Sequence, residues 1–282
     1  MKYISPEKQI ELIKKDIGYI RYIANPTEEA CLEVIKQKPY FGLKIIPQTS
    51  KTNKVCLEAI KLNAEQLEYV PKEKKTYNLC LQAVKKNGLA MKFVPEEKKS
   101  YDMCLEAVNQ HPFAILYVPE YKQTEELCLI AIKKSPNILK YLPKEKKTYE
   151  ICFEAVKKYG NSIKYVEKEV LTKELCLLAV KNNGFALNLI PEEYRTYDVC
   201  IAAIKKTYAA IDFVPKDKMC SRFLLQCINT KLKRAKELKR FNIKNDTRGL
   251  GPYAKKTISE LLIELIKMYI RESFLKLYYR IR

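Results

Sequence analysis

Eight cysteines, Cys31, Cys56, Cys80, Cys104, Cys128, Cys152, Cys176 and Cys200, divide the first 200 residues into one step of 25 and six of 24. A short fixed period confines a chain to stacked repeats, because a unit of this length cannot bury a core alone and must be covered by its neighbour. Other columns keep the same step. Proline recurs at Pro47, Pro71, Pro95, Pro119, Pro143, Pro191 and Pro215, with Glu167 in the one vacant place. Thr27, Thr52, Thr76, Ser100, Thr124, Thr148, Thr172 and Thr196 each stand four residues before a periodic cysteine.

Each column reads as part of a helix pair, and the unit from Thr76 to Pro95 shows how. Thr76 is an N-cap, its hydroxyl placed to accept from an unpaired amide in the first turn. Tyr77, Cys80, Leu81 and Val84 follow at i, i+3, i+4 and i+7 and share one face. Lys85 and Lys86 suit the carbonyl end of the helix, and Asn87 with Gly88 reads as a left-handed stop. Leu89 to Val94 forms a second, shorter helical segment. Pro95 suits the first turn of the next stretch, where its missing N–H would be unpaired anyway. Gly160, Gly184, Pro39, Pro112 and Pro136 break other units at the Gly88 position, and Ala64 and Tyr208 depart from it.

The expected fold is all-α, an α-solenoid of stacked helical hairpins over residues 1–230 with a basic helical extension over 231–282. A degenerate first unit carries Ile10, Leu12 and Ile13. A degenerate last one carries Leu224, Leu225, Cys227 and Ile228. The segments NGLAMKFVPEEKKSYDMCLEAV, from Asn87, and YGNSIKYVEKEVLTKELCLLAV, from Tyr159, resemble tandem repeats of a domain of unknown function found in bacterial and viral proteins. That resemblance spans roughly residues 25 to 230. It implies a helical-repeat fold and carries no functional residue, cofactor or activity across.

Catalytic patterns are scarce. The periodic cysteines would sit on helices stacked about 8–10 Å apart, too far for disulfides, and offer no CxxC pair for zinc, so they read as buried, reduced packing residues. The sole histidine, His111, stands before Pro112 at a helix end and reads as a surface cap. Gly249 and Gly251 make only a GxG, without the remaining glycines of a phosphate loop. No catalytic residue, metal ligand or cofactor is expected. The first twenty residues lack a leader's apolar stretch, and no stretch of about 18 residues is free of charge, so a soluble, cytoplasmic protein is the expectation.

What remains is charge. Lys and Arg total 53 against 33 Asp and Glu, a net of +20. Residues 221–282 hold 16 of the bases and 5 of the acids, hence +11 of that excess. Lys231, Lys233, Arg234, Lys236, Lys239, Arg240, Lys244 and Arg248 are the primary anion-binding candidates, the arginines being capable of bidentate phosphate contacts. Thr257 to Glu260 reads as a capping box opening a helix with Leu261, Leu262, Leu265, Met268 and Tyr269 on its apolar stripe. Lys61, Lys85, Lys133, Lys157, Lys181 and Lys205, with Lys36, form a secondary row at one place in the repeat, and Lys74, Lys75, Lys98, Lys99, Lys146 and Lys147 form another. Either row could follow a phosphate backbone or simply solvate a surface. Tyr69, Phe93, Tyr117, Tyr141, Tyr165 and Phe213 form an aromatic column that reads as inter-repeat core rather than as a base-stacking surface. The expectation is therefore a non-catalytic scaffold for nucleic acid or a ribonucleoprotein. The alternative is a protein-interaction module, an adaptor or inhibitor, that grips its partner through the repeat surface.

Overall fold

The computed structural model describes residues 4–219, 222–223, 225–230, 260 and 263. Among these every regular element is helical. The chain falls into two compact units, Met1–Ile138 and Leu139–Arg282, and the boundary interrupts the repeat array.

Within each unit the repeat is a ten-residue α-helix, a six-residue 3-10 helix running back along it, and a three-residue 3-10 turn leading to the next cap. Tyr77–Lys86, Gly88–Phe93 and Glu96–Lys98 form one such set. The α-helices stack in one layer and the 3-10 helices in the other. The threonine column does what its position suggests. In helices from Glu28–Gln37 to Lys173–Asn182, the cap hydroxyl accepts from the amide three residues on, at 3.2–3.4 Å. Thr196 departs: its hydroxyl is buried and makes no capping bond.

Three local expectations need correction. The helix does not end in a left-handed residue. Asn87 is extended (φ −148°, ψ 112°) and caps the 3-10 helix that follows, its Oδ1 accepting from Leu89 N–H at 3.0 Å. Pro95 likewise precedes its 3-10 turn instead of opening it, and its carbonyl accepts from Lys98 N–H. The buried stripe is Leu79, Cys80, Ala83 and Val84. Tyr77 stays exposed because its hydroxyl pairs with Ser100 Oγ of the next repeat at 3.1 Å.

The glycine at the break has a different purpose from the one its sequence position suggests. A Cβ on Gly184 would lie 2.6 Å from the Ala203 carbonyl oxygen and 2.6 Å from Thr207 Cβ, and one on Gly160 would lie 2.6 Å from the Ala179 oxygen. At Gly88 the overlap with the Ala107 oxygen is closer still. The start of each 3-10 helix is thus laid against the carbonyl end of the next α-helix. On that helix stands an alanine column, Ala59, Ala83, Ala107, Ala131, Ala155, Ala179 and Ala203, none of it solvent-exposed.

The 25-residue step has its own repair. In that repeat the chain turns through Lys38 to Phe41 before a short α-turn, Gly42–Ile45. Gln66, fully buried, accepts from Leu43 N–H at 3.0 Å and donates to the Pro39 carbonyl at 3.1 Å. The amide side chain thus bonds two backbone groups of the turn that accommodates the extra residue. At the start of the chain, Pro6–Lys15 and Ile17–Tyr22 repeat the hairpin with Ile13 and Ile20 buried, whereas Ile10 and Leu12 are only half-buried. Toward the last described residues Phe223, Cys227 and Ile228 are buried, Leu225 is 49 % exposed, and Leu224 lies outside the described residues.

Two outcomes follow from this packing. Gly184→Ala should destabilise by about 1–3 kcal/mol in chemical denaturation, because overpacking against backbone exceeds the gain in helix propensity; a neutral or stabilising result would refute the close approach. The second concerns pH. Burial pushes the thiols up, Cys31 and Cys227 to about 12 and Cys152, Cys176 and Cys200 to about 11, with Cys56, Cys80 and Cys104 shifted the same way. A raised thiol contributes stability that is complete below its unfolded value of about 8.5 and is lost as pH climbs toward the folded value. Desolvation lowers Lys51, Lys75 and Lys99, which act in the opposite direction, but three groups oppose eight. The melting temperature should be flat to about pH 8 and fall steeply between about pH 9 and 10.5.

Candidate binding surfaces of the repeats

The lysines separate into two populations by what their heads touch. Lys61, Lys85, Lys133, Lys157, Lys181 and Lys205, with Lys36, all sit in the last turn of an α-helix and are exposed. Their ammonium groups complement the partial negative charge of the helix end, an arrangement worth a few tenths of a kcal/mol and one that leaves the charge in water. Lys61 also meets Glu58 at 2.7 Å and Lys157 meets Glu154 at 3.4 Å, both exposed i,i+3 pairs. Along the same edge Lys134 donates to the Asn109 carbonyl at 2.6 Å and Asn182 Nδ2 to the Lys157 carbonyl at 3.0 Å, each bond joining one repeat to the next.

The other row is not a surface ladder. Lys51 and Lys147 are buried, Lys75 and Lys99 half-buried, and their heads are spent on the chain itself. Lys51, Lys75 and Lys99 donate to the carbonyls of Tyr69, Phe93 and Tyr117 at 2.8, 3.0 and 2.7 Å, each capping the 3-10 helix of the repeat that follows it. Lys74, Lys98 and Lys122 reach back to the carbonyls of Lys51, Lys75 and Lys99, Lys74 at 2.6 Å. In the second unit Arg195 takes the capping role, donating to Phe213 at 3.0 Å and Ile190 at 2.8 Å, and Lys147 pairs with Glu167 at 2.7 Å. The expectation that Lys74, Lys75, Lys98, Lys99 and Lys147 could line a phosphate path is therefore corrected. A carbonyl in the linker needs a donor once covered, and a long cationic side chain supplies it while its stem packs.

The cysteines complete these junctions. Among the described residues nine are buried and outside any disulfide. Cys56, Cys152 and Cys200 direct their sulfurs at the carbonyls of Lys51, Lys147 and Arg195, at 3.7, 3.7 and 3.4 Å. A small, apolar side chain with a weak donor suits a site beside an already-bonded carbonyl.

The aromatic column is not core. Tyr69, Phe93, Tyr117, Tyr165 and Phe213 are half-buried, and Tyr141 is 50 % exposed. Several carry a lysine over the ring: Lys92 stands 5.5 Å from the Phe93 centroid, Lys140 5.0 Å from Tyr141, Lys164 5.9 Å from Tyr165 and Lys44 6.0 Å from Tyr69. The 3-10 layer also exposes Leu116 and Phe185. These rings are held at the rim because the two residues before the last pair of each segment, such as Ala90 and Met91, occupy the inward side.

His111 ends Tyr101–Gln110 and precedes Pro112; it is half-buried, its backbone N–H donates to the Ala107 carbonyl at 2.8 Å, and its ring makes no capping bond, with Nδ1 covered and without a partner. Among the described residues no group of three or more His, Cys, Asp or Glu side chains is placed to hold a metal ion. No described helix is long and apolar enough to cross a membrane. The primary anion-binding candidates, Lys231, Lys233, Arg234, Lys236, Lys239, Arg240, Lys244 and Arg248, lie outside the described residues, as do Thr257 and the apolar stripe from Leu261.

Sequence reasoning passed over the alanine column, which repeats three residues after each cysteine from Cys56 to Cys200 and could have been found by its period. It could not have told the linker lysines from the helix-end lysines by composition. A repeat family described as "Domain of unknown function (DUF4116)" matches residues 52–97, 76–122, 100–145, 124–171 and 172–218, together more than half of the chain. No curated protein and no solved structure matches.

Substitution should separate the two lysine populations. Lys75→Ala should cost about 1–2 kcal/mol in urea unfolding, since it strips a covered carbonyl of its donor, while Lys85→Ala should change stability by less than about 0.5 kcal/mol. Equal effects would mean that the linker lysines are not structural.

Proposed function

The chain belongs to the DUF4116 family of repeat domains, and from that premise we propose that it is a non-catalytic scaffold that engages an anionic partner, a nucleic acid or a ribonucleoprotein. The observation that supports this most directly is the sorting of the lysines. The fold consumes the linker row and leaves the helix-end row exposed, at the same place in successive repeats of each unit. Stacked helices stand about 8–10 Å apart, so Lys157, Lys181 and Lys205 in the second unit form a rail of charge at roughly the Debye length, close enough to act jointly on one polyanion. The eight basic residues between Lys231 and Arg248 would add the larger share of the attraction, given the +11 carried by residues 221–282.

A second reading has its own support. Leu116 and Phe185 are large apolar side chains exposed on the 3-10 layer, and exposed apolar groups on a repeat surface suit a protein partner gripped by an adaptor or inhibitor.

Binding of fluorescent RNA and DNA at about 50 and 200 mM salt distinguishes the two. The polyanion reading expects affinity to fall at least about tenfold over that range, with further losses when Lys157, Lys181 and Lys205 are changed to Glu, or when Lys231, Arg234, Arg240 and Arg248 are changed to Ser. Absence of binding to any strand at the lower salt would remove this reading and leave the protein partner.

A further inference from the structure

On the proposed reading of a nucleic-acid scaffold, we infer that the 3-10 layer of the second unit is a stacking platform for the bases of a single strand. The site consists of Tyr141 and Tyr165, one repeat apart, with Lys140 and Lys164.

In a 3-10 helix residues three apart eclipse one another, so each six-residue segment presents one outward row. In Gly160–Tyr165 that row is Asn161 and Lys164, and in Gly184–Leu189 it is Phe185 and Asn188, while Ser162, Ile163, Ala186 and Leu187 face inward. Tyr165 flanks its row half-buried. Tyr141 is 50 % exposed, whereas Phe185, at a different place in its repeat, packs edge-on against Phe213 at 6.3 Å. A ring partly in solvent leaves surface on which a base can stack, and stacking tolerates any base because every base has a π-face.

The lysines make the partner anionic. Lys140 and Lys164 stand 5.0 and 5.9 Å from the centroids of the rings that follow them, so each aromatic carries its own cation. A nucleotide has the same two parts, a flat base and a phosphate. Gly160–Tyr165 and Gly184–Leu189 hold no carboxylate, and of the acids in the adjoining linker Glu167 is held by Lys147 at 2.7 Å and Glu169 by Lys144 at 3.1 Å.

Spacing selects the strand. Rings on neighbouring repeats are separated by about one helix-packing distance, 8–10 Å. A duplex keeps its bases paired and stacked about 3.4 Å apart and cannot offer them to rings so placed, whereas the bases of a single strand can be splayed. The platform therefore takes about one base per repeat, in RNA or DNA alike.

The test uses the full-length chain and three fluorescent ligands of equal length: an oligo-dT strand, an abasic strand with the same phosphates, and a duplex. Stacking on the platform expects the oligo-dT strand to bind at least about tenfold more tightly than either of the others. Tyr141→Ala with Tyr165→Ala should abolish that advantage while leaving the salt-dependent binding of the abasic strand unchanged. Tyr141→Phe with Tyr165→Phe should bind as the unaltered chain does, and circular-dichroism melting should show both double variants folded. Equal affinity for the abasic and base-bearing strands, or an alanine variant that keeps the preference, overturns the platform but not the scaffold. Failure to bind any of the three ligands at about 50 mM salt overturns both.

Discussion

The structure depends on how closely two pieces of backbone can approach. The first residue of each 3-10 helix lies against the carbonyl end of the neighbouring α-helix, with glycine on one side at Gly88, Gly160 and Gly184 and alanine on the other at Ala107, Ala179 and Ala203. Small residues there let the two layers stay in contact from one repeat to the next, and burial of Leu79, Cys80 and Val84 and their equivalents follows. Burial at close range also covers linker carbonyls that would otherwise bond water. An uncovered demand of this kind must be met inside the protein. The linker lysines, Arg195 and the thiols are the answer.

This accounting changes the meaning of a strongly basic composition. A sum of charges treats every lysine alike, yet Lys51 is 5 % exposed and bonded to a carbonyl, while Lys181, at the end of its helix, is exposed. Only the second kind can attract a partner. The remaining surface is not uniform either, since the α-helix ends offer charge alone and the 3-10 layer offers charge beside rings. A polyanion and an apolar partner would favour different layers of the same unit.

The period, the helical class, the threonine caps and the burial of the cysteines were all legible in the sequence, because each depends on a residue type at a fixed place. What was hidden depended on distance between repeats. Gly88 looked like a stop signal, and its actual constraint comes from Ala107, nineteen residues away. Tyr77 had the right spacing for the buried face, but the polar hydroxyl found Ser100 and stayed outside. The aromatic column looked like core because valine or leucine followed it, and only the 3-10 geometry turned it to the rim. Lysine identity was silent about which carbonyl, if any, each head would meet.

Gln66 shows what a departure from the period entails. One extra residue lies between Cys31 and Cys56, and a buried amide side chain bonds both the Leu43 N–H and the Pro39 carbonyl in the turn that accommodates it. An insertion of one whole repeat would need no such repair, because each cap, stitch and buried column is satisfied within a repeat or by the adjacent one. In a lineage of such chains, length is therefore free to vary by duplication or loss of 24 codons at a time, while shorter changes are filtered out unless a second substitution accompanies them. The array is in this sense a ruler graduated by heredity.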